Sequence, residues 1–254
     1  MTTPAEATRI AERALGARFA DADAGFAAGS IFRGEGTTMS DVDLVVLYRH
    51  LPNAWRESFV LDGVPVEAFV HDSETLNWFL AGDRDRGRPA LMAMVAEGRI
   101  FGPNPQKAME WQNAARRMLI EGPAPLSEAQ LNQLRYDITD KIDDLRGRRS
   151  RAEITALGAA LYHSVAEILL RGQGRWFGSA KWIPRLLHAL DAEQAARFDS
   201  AFDQLFAQGN AVELISCVED VMRPFGGLLF DGDHQAAPAS SRIPANSDDN
   251  LEVG

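Results

Sequence analysis

The chain holds one cysteine, Cys217, among 254 residues. A disulfide within it is therefore impossible, which fits a reducing cytoplasm. Cys217 lies in a helical-looking stretch and reads as a small buried apolar residue, not a nucleophile. Positive charge is also scarce: 26 Lys and Arg stand against 36 Asp and Glu, for a formal net charge of −10. That balance argues against general nucleic-acid binding, which needs a cationic excess. It is compatible with a cationic small substrate, and equally with solubility alone. No segment approaches the apolar length of a membrane span. The N-terminus carries acids and no hydrophobic stretch, so no secretory signal is expected. None of the five histidines, His50, His71, His163, His188 and His234, pairs with another at a metal-ligand spacing, which argues against zinc. No repeat of 20 to 50 residues is visible. What remains, 46% apolar and 24% charged, is an ordinary globular composition, long enough for two small domains or one large one.

Against this background one stretch is distinctive, residues 29–47, GSIFRGEGTTMSDVDLVVL. Asp41 and Asp43 flank Val42, and the apolar run Leu44-Val45-Val46-Leu47 follows, which predicts a buried strand. Alternation along a strand puts both carboxylates on one side. Adjacent carboxylates repel, so the pair is poorly explained by stability alone, and hard divalent cations such as Mg²⁺ relieve the repulsion with oxygen ligands. Upstream, Gly29-Ser30 offers a sharp turn whose amides and hydroxyl suit phosphate oxygens. Downstream, Asp62-Gly63 between two apolar runs, Ser58–Leu61 and Val64–Val70, predicts a hairpin. The hairpin sets Glu67 mid-strand beside the strand of paired acids, and shared metal ligation gives that acid a reason to be there.

The remaining pattern separates into two parts. Thr3-Pro4-Ala5-Glu6 opens a first helix. A short strand enters the Gly29 turn, residues 31–35 are expected to form a short helix facing the phosphates, and a helix starts near Asp72. Residues 82–89 read as a charged loop, residues 90–96 as a short helix, 98–102 as a small strand and 106–120 as a helix. Gly122 to Pro125 marks a boundary. Beyond it, capping boxes at Ser127 and Ser150, and caps at Asp191 and Asn210, open amphipathic helices joined by short links, which predicts a bundle. The expected fold is α+β: a small mixed-sheet domain over residues 1–122, a helical bundle over 123–232, and a disordered tail over 233–254, poor in groups able to bury apolar surface.

The ordered set of Gly29-Ser30, a ten-residue spacer, Asp41-Val42-Asp43 in a strand and Glu67 in a later strand resembles the nucleotidyltransferase superfamily that includes DNA polymerase β. With a helical domain following the sheet, the chain is similar to aminoglycoside adenylyltransferases of the streptomycin and spectinomycin type over roughly residues 24–102. The resemblance implies Mg²⁺ held by Asp41, Asp43 and Glu67, and ATP or another nucleoside triphosphate held by Gly29 and Ser30 with help from Arg33. It further makes Glu67 the candidate general base, so that this acid ligates metal, accepts the alcohol proton, or does both. In the bundle the resemblance rests on Leu161-Tyr162, a Gly-containing link and Lys181-Trp182, and it gives Lys181 the role of reaching the triphosphate. Asp137, Asp140, Asp143, Asp144 and Glu167 form a possible acidic face for a cationic acceptor, or a solvated helix surface. The implied reaction moves a nucleoside monophosphate to a hydroxyl of a small molecule, possibly an aminoglycoside. The alternative is transfer of AMP to a protein, as in antitoxin-type nucleotidyltransferases. No membrane partner is expected, and base preference and oligomeric state are open.

Overall fold

A computed structural model describes residues 2–242. Most of the expected tail, residues 243–254, lies outside the described residues. Five strands form one sheet: β1 (Ala24–Ala28), β2 (Val42–Leu47), β3 (Trp55–Leu61), β4 (Val64–His71) and β5 (Arg99–Phe101). Their order is β3-β4-β2-β1-β5. β2 and β4 are parallel and the other neighbours antiparallel, so the sheet is mixed. The hairpin turns at Asp62 and Gly63, both at positive φ (54° and 78°), the geometry that joins two twisted strands in two residues.

Alternation along the strands divides the sheet into two faces. On one, α1 (Pro4–Arg18) packs Ile10, Ala11 and Ala14 on Val42, Leu44, Val46, Val66, Ala68 and Val70. Its start is the expected capping box, with Thr3 accepting from the Glu6 amide. On the other, α2 (Ser73–Arg86), α3 (Ala90–Glu97) and α4 (Pro105–Glu121) pack Leu76, Leu80, Met92, Val95 and Ala108 on Phe26, Val45 and Leu47. Asp43 and Glu67 belong to this second face by register.

Two local expectations fail. Residues 31–35 form turns, not a helix; the Glu35 amide donates to the Ser30 carbonyl at 2.9 Å and the Gly34 amide to that of Ile31 at 3.2 Å. Five residues do not recover the cost of nucleating a helix without a packed face. The expected loop at 82–89 is largely helical, since α2 continues to Arg86. Asp83 is buried there, accepting from the Met92 amide at 2.9 Å while pairing with Arg86 one turn on at 3.0 Å.

From Glu128 onward the described chain has no strand. α5 (Glu128–Arg146), α6 (Arg151–Arg171), α7 (Trp182–Leu190), α8 (Ala192–Gln208) and α9 (Val212–Met222) share a core that includes Ile138, Ile142, Leu161, Val165, Phe198, Phe202, Leu205 and Cys217. Ser127 and Ser150 cap α5 and α6 as capping boxes, and Asp191 caps α8. α6 corrects one expectation: at 21 residues it is long and apolar enough, by length and composition, to cross a membrane. Its Leu161, Val165, Ile168 and Leu169 are instead packed inside the bundle.

The two parts meet along the link between α6 and α7. Trp176 Nε1 donates to the Leu119 carbonyl at 2.9 Å, and the Phe177 amide to that of Gly87 at 2.7 Å. These contacts hold residues 174–181 against the sheet part and lead the chain to Lys181.

Candidate active site

Asp43 sits one residue into β2 and is paired across the sheet with Ala28 of β1 and Glu67 of β4. Parallel register therefore places Asp43 and Glu67 side by side, and Asp41 just before the strand completes the group. Carboxylate oxygens of Asp41, Asp43 and Glu67 lie within 4.8 Å of one another. Asp41 is exposed, while Asp43 and Glu67 are half-buried. The spacing that made these three candidates in the sequence thus brings them together in space.

Burial first, then the charges of Asp41 and Glu67, push the Asp43 carboxyl up to about 6, while Arg33 and Lys181 pull it the other way. Three hard oxygen donors, with Asp43 held back from ionising by burial and by the charges of the other two, fit a divalent cation such as Mg²⁺, which removes that penalty when bound.

The turn after β1 is shaped by Asp43. Gly29 has φ 103°, and a Cβ added there would lie 2.6 Å from Asp43 Oδ2. Any side chain at this position would be strained and would displace a carboxylate of the group. Ser30 Oγ donates to Ser40 Oγ at 3.0 Å, and the Thr37 amide donates to Ser40 Oγ at 2.8 Å. The turn is thereby tied to the residue preceding Asp41, so Gly29, Ser30 and both aspartates form one connected unit.

Cations reach this unit from both parts of the chain. Arg33, in the turn, lies 5.1 Å from the Trp182 ring and 3.5 Å from Glu35. Arg185 of α7 bonds Glu35 at 2.8 Å and lies 5.2 Å from the same ring. Lys181, exposed at the start of α7, shares with Arg33 the effect on Asp43 although 138 residues separate it from that acid. The residue before it, Ala180, has φ 47°, a left-handed conformation that alanine adopts only at a cost. The strained residue therefore sits where the chain delivers a cation toward the acids.

Four of the five acids of the expected bundle face have partners in their own chain. Asp137 pairs with Lys141 and accepts from Ser164, Asp143 pairs with Arg146, and Asp144 with Arg149. Glu167 meets Arg171 at 3.5 Å and Arg88 at 3.9 Å.

Two residues absent from the sequence reading belong to the site. Arg185 holds the Gly29 turn through Glu35. Arg56 of β3 places Nη1 3.0 Å from Glu67 Oε1. Arg56 had a readable signal: counting back from the Asp62-Gly63 turn pairs Ser58 with Glu67 and puts Arg56 on the same face.

No known family model matches the chain. No curated protein matches it. Among solved structures it is similar to a nucleotidyltransferase-like protein from Exiguobacterium sibiricum 255-15, with 16% identity and a TM-score of 0.44, covering 84% of this chain and 74% of that one.

Proposed function

We propose that the chain is a nucleotidyltransferase that moves a nucleoside monophosphate, with ATP as the first donor to test, onto a hydroxyl group of a small molecule. The observation carrying this reading is the convergence of Asp41, Asp43 and Glu67 within 4.8 Å beside a turn that only glycine can begin. In this reading Asp41, Asp43 and Glu67 would hold Mg²⁺, which when bound would supply positive charge to offset that of the phosphates. The chain's own groups do the rest. Gly29 and Ser30 offer amide and hydroxyl donors to the leaving phosphates. Arg33 and Lys181 offset charge on the same group from opposite parts of the chain, in fixed positions. Glu67 accepts the proton of the attacking hydroxyl at a carboxylate oxygen, with that hydroxyl held for in-line attack.

An aminoglycoside is the acceptor implied by the resemblance. Of the bundle acids suited to such a polycation, Asp137, Asp143, Asp144 and Glu167 carry partners from their own chain, and Asp140 is exposed. The small-molecule reading therefore stands on the acid group beside the Gly29 turn and not on an acidic receptor surface. The test is incubation with Mg²⁺, each α-labelled nucleoside triphosphate and a panel of hydroxyl acceptors that includes aminoglycosides. The expected outcome is pyrophosphate release with label on a small molecule. Label on protein would move the reading to protein modification, and no release with any nucleotide would overturn it.

A further inference from the structure

Strand order separates the donor side of the site from its acceptor side. The Gly29 turn follows β1, Asp43 lies on β2, Glu67 on β4, and beyond β4 only β3 remains at the sheet edge. The inference rests on the reading just given, with the leaving phosphates at the Gly29 turn and Glu67 as base. An acceptor hydroxyl must then come to Glu67 from the β3 side.

β3 shows that acceptor few groups. Glu57 faces α1, where it bonds Arg18, and Phe59 packs on Phe19 of the same side. Alternation therefore turns Arg56, Ser58 and Val60 to the face of Glu67, and all three are exposed. Ser58 stands directly opposite Glu67, and Arg56 lies two pairs further along, opposite Phe69. This strip of strand offers a hydroxyl, an apolar side chain and one charge, and the charge is positive.

Arg56 is 64% exposed while it pairs with Glu67. A guanidinium has five donors, and a single ion pair leaves most of them for another partner. A polycationic acceptor at this place would bring like charge onto Arg56. An acceptor bearing a carboxylate or phosphate would instead meet a planar fork that fits either group with two parallel hydrogen bonds.

We propose that Arg56 selects the acceptor, and that the acceptor carries an anionic group, carboxylate or phosphate, next to the hydroxyl that is modified. The hydroxyl oxygen forms a bond to the α-phosphorus, and the bond from that phosphorus to the bridging oxygen breaks. Pyrophosphate leaves with the bonding pair, and the hydroxyl proton passes to the Glu67 carboxylate.

The test uses the full chain with Mg²⁺, labelled ATP and four acceptor sets: hydroxycarboxylates, sugar phosphates, neutral polyols and aminoglycosides. Wild type is expected to label an anionic set, and the two anionic arms tell carboxylate from phosphate. Arg56→Gln should raise the KM for that acceptor roughly ten- to a hundredfold, a far larger change than any in the KM for ATP. Arg56→Lys should recover part of the loss. Labelling of aminoglycosides or neutral polyols as readily as anions would overturn the proposal. So would an unchanged acceptor KM in Arg56→Gln, or no labelling of either anionic set. The underlying reading is judged apart, by Mg²⁺-dependent release of pyrophosphate from ATP with water as acceptor, lost in Asp43→Asn.

Discussion

Acidic side chains are treated in opposite ways by the two parts of the molecule. In the bundle, Asp137 meets Lys141 one helical turn away, Asp143 meets Arg146, and Glu167 meets Arg171. These are local pairs at i,i+3 or i,i+4, of the kind that any solvated helix collects and that contribute a few tenths of a kcal/mol each. In the sheet, parallel register forces Asp43 and Glu67 side by side, and Asp41 joins them. Nothing local compensates Asp41 and Asp43, and the cations that act on Asp43 come from the turn at Arg33 and from Lys181 in the other part of the chain. The contrast teaches where to look for chemistry. Charge already neutralised by its neighbours is surface, whereas charge held together against its own repulsion is poised for a ligand.

The largest effect expected from breaking this contrast is at the aspartates. Asp41→Asn or Asp43→Asn should lower transfer by at least about a hundredfold, as loss of a group that organises charge in the transition state does. The same substitutions should leave metal-free thermal stability at neutral pH equal or higher. Full activity with unchanged melting would show the group to be ordinary surface. The pH dependence has a definite sign. Asp43 titrates at about 6 in the folded chain, against about 3.9 for an unperturbed aspartate. Between these values the folded state binds more protons than the unfolded one, so metal-free stability falls as pH rises through the window. Melting curves of Asp43→Asn between pH 4 and 7 should show a flatter profile than wild type.

Glu67 sharpens the comparison within the acid group itself. If it takes the proton, Glu67→Gln should lower kcat by roughly 10²- to 10⁴-fold and leave nucleotide affinity nearly intact. A parallel loss of Mg-nucleotide binding in calorimetry would make it chiefly a ligand. Lys181 comes next. Lys181→Ala should weaken ATP roughly ten- to a hundredfold and leave adenosine unaffected. Equal ATP titrations in both proteins would mean that the bundle contributes no charge to the site.

How much of this was legible in the sequence depended on distance along the chain. Asp41, Asp43, Gly29 and Ser30 lie within fifteen residues, and a strand pattern fixes which way the acids point, so the group could be assembled from spacing alone. Glu67 followed from the hairpin. The physical need for Gly29 could not be read, because the atom that would collide with its Cβ is Asp43 Oδ2, set by pairing across β1 and β2. Arg56 was readable from the register but resembled a solvated strand charge. Residues 82–86 read as a loop because of their charges. The i,i+3 spacing of Asp83 and Arg86 was the helical signal among them.

The smallest effect is the control. Asp143→Asn or Asp144→Asn should change stability by no more than about 0.5 kcal/mol and leave transfer unchanged with every acceptor. A loss of one acceptor alone would return the bundle surface to acceptor binding.

The seam between the two parts bears on whether they could ever be exchanged as separate pieces. Arg171, at the end of α6, is buried, and its Nη2 donates to the Asp85 carbonyl at 3.1 Å and to the Ala124 carbonyl at 3.3 Å. Across from it, a Cβ on Gly87 would fall 2.5 Å from Arg171 Nε. A hybrid that took its first 120 residues from a relative would inherit whatever that relative carries at position 87. With anything larger than glycine there, the guanidinium would lose its seat, leaving a buried cation facing carbonyls it could no longer reach, a fault of several kcal/mol. Libraries that shuffle such halves should therefore yield folded members mainly when the residues at 87 and 171 travel together.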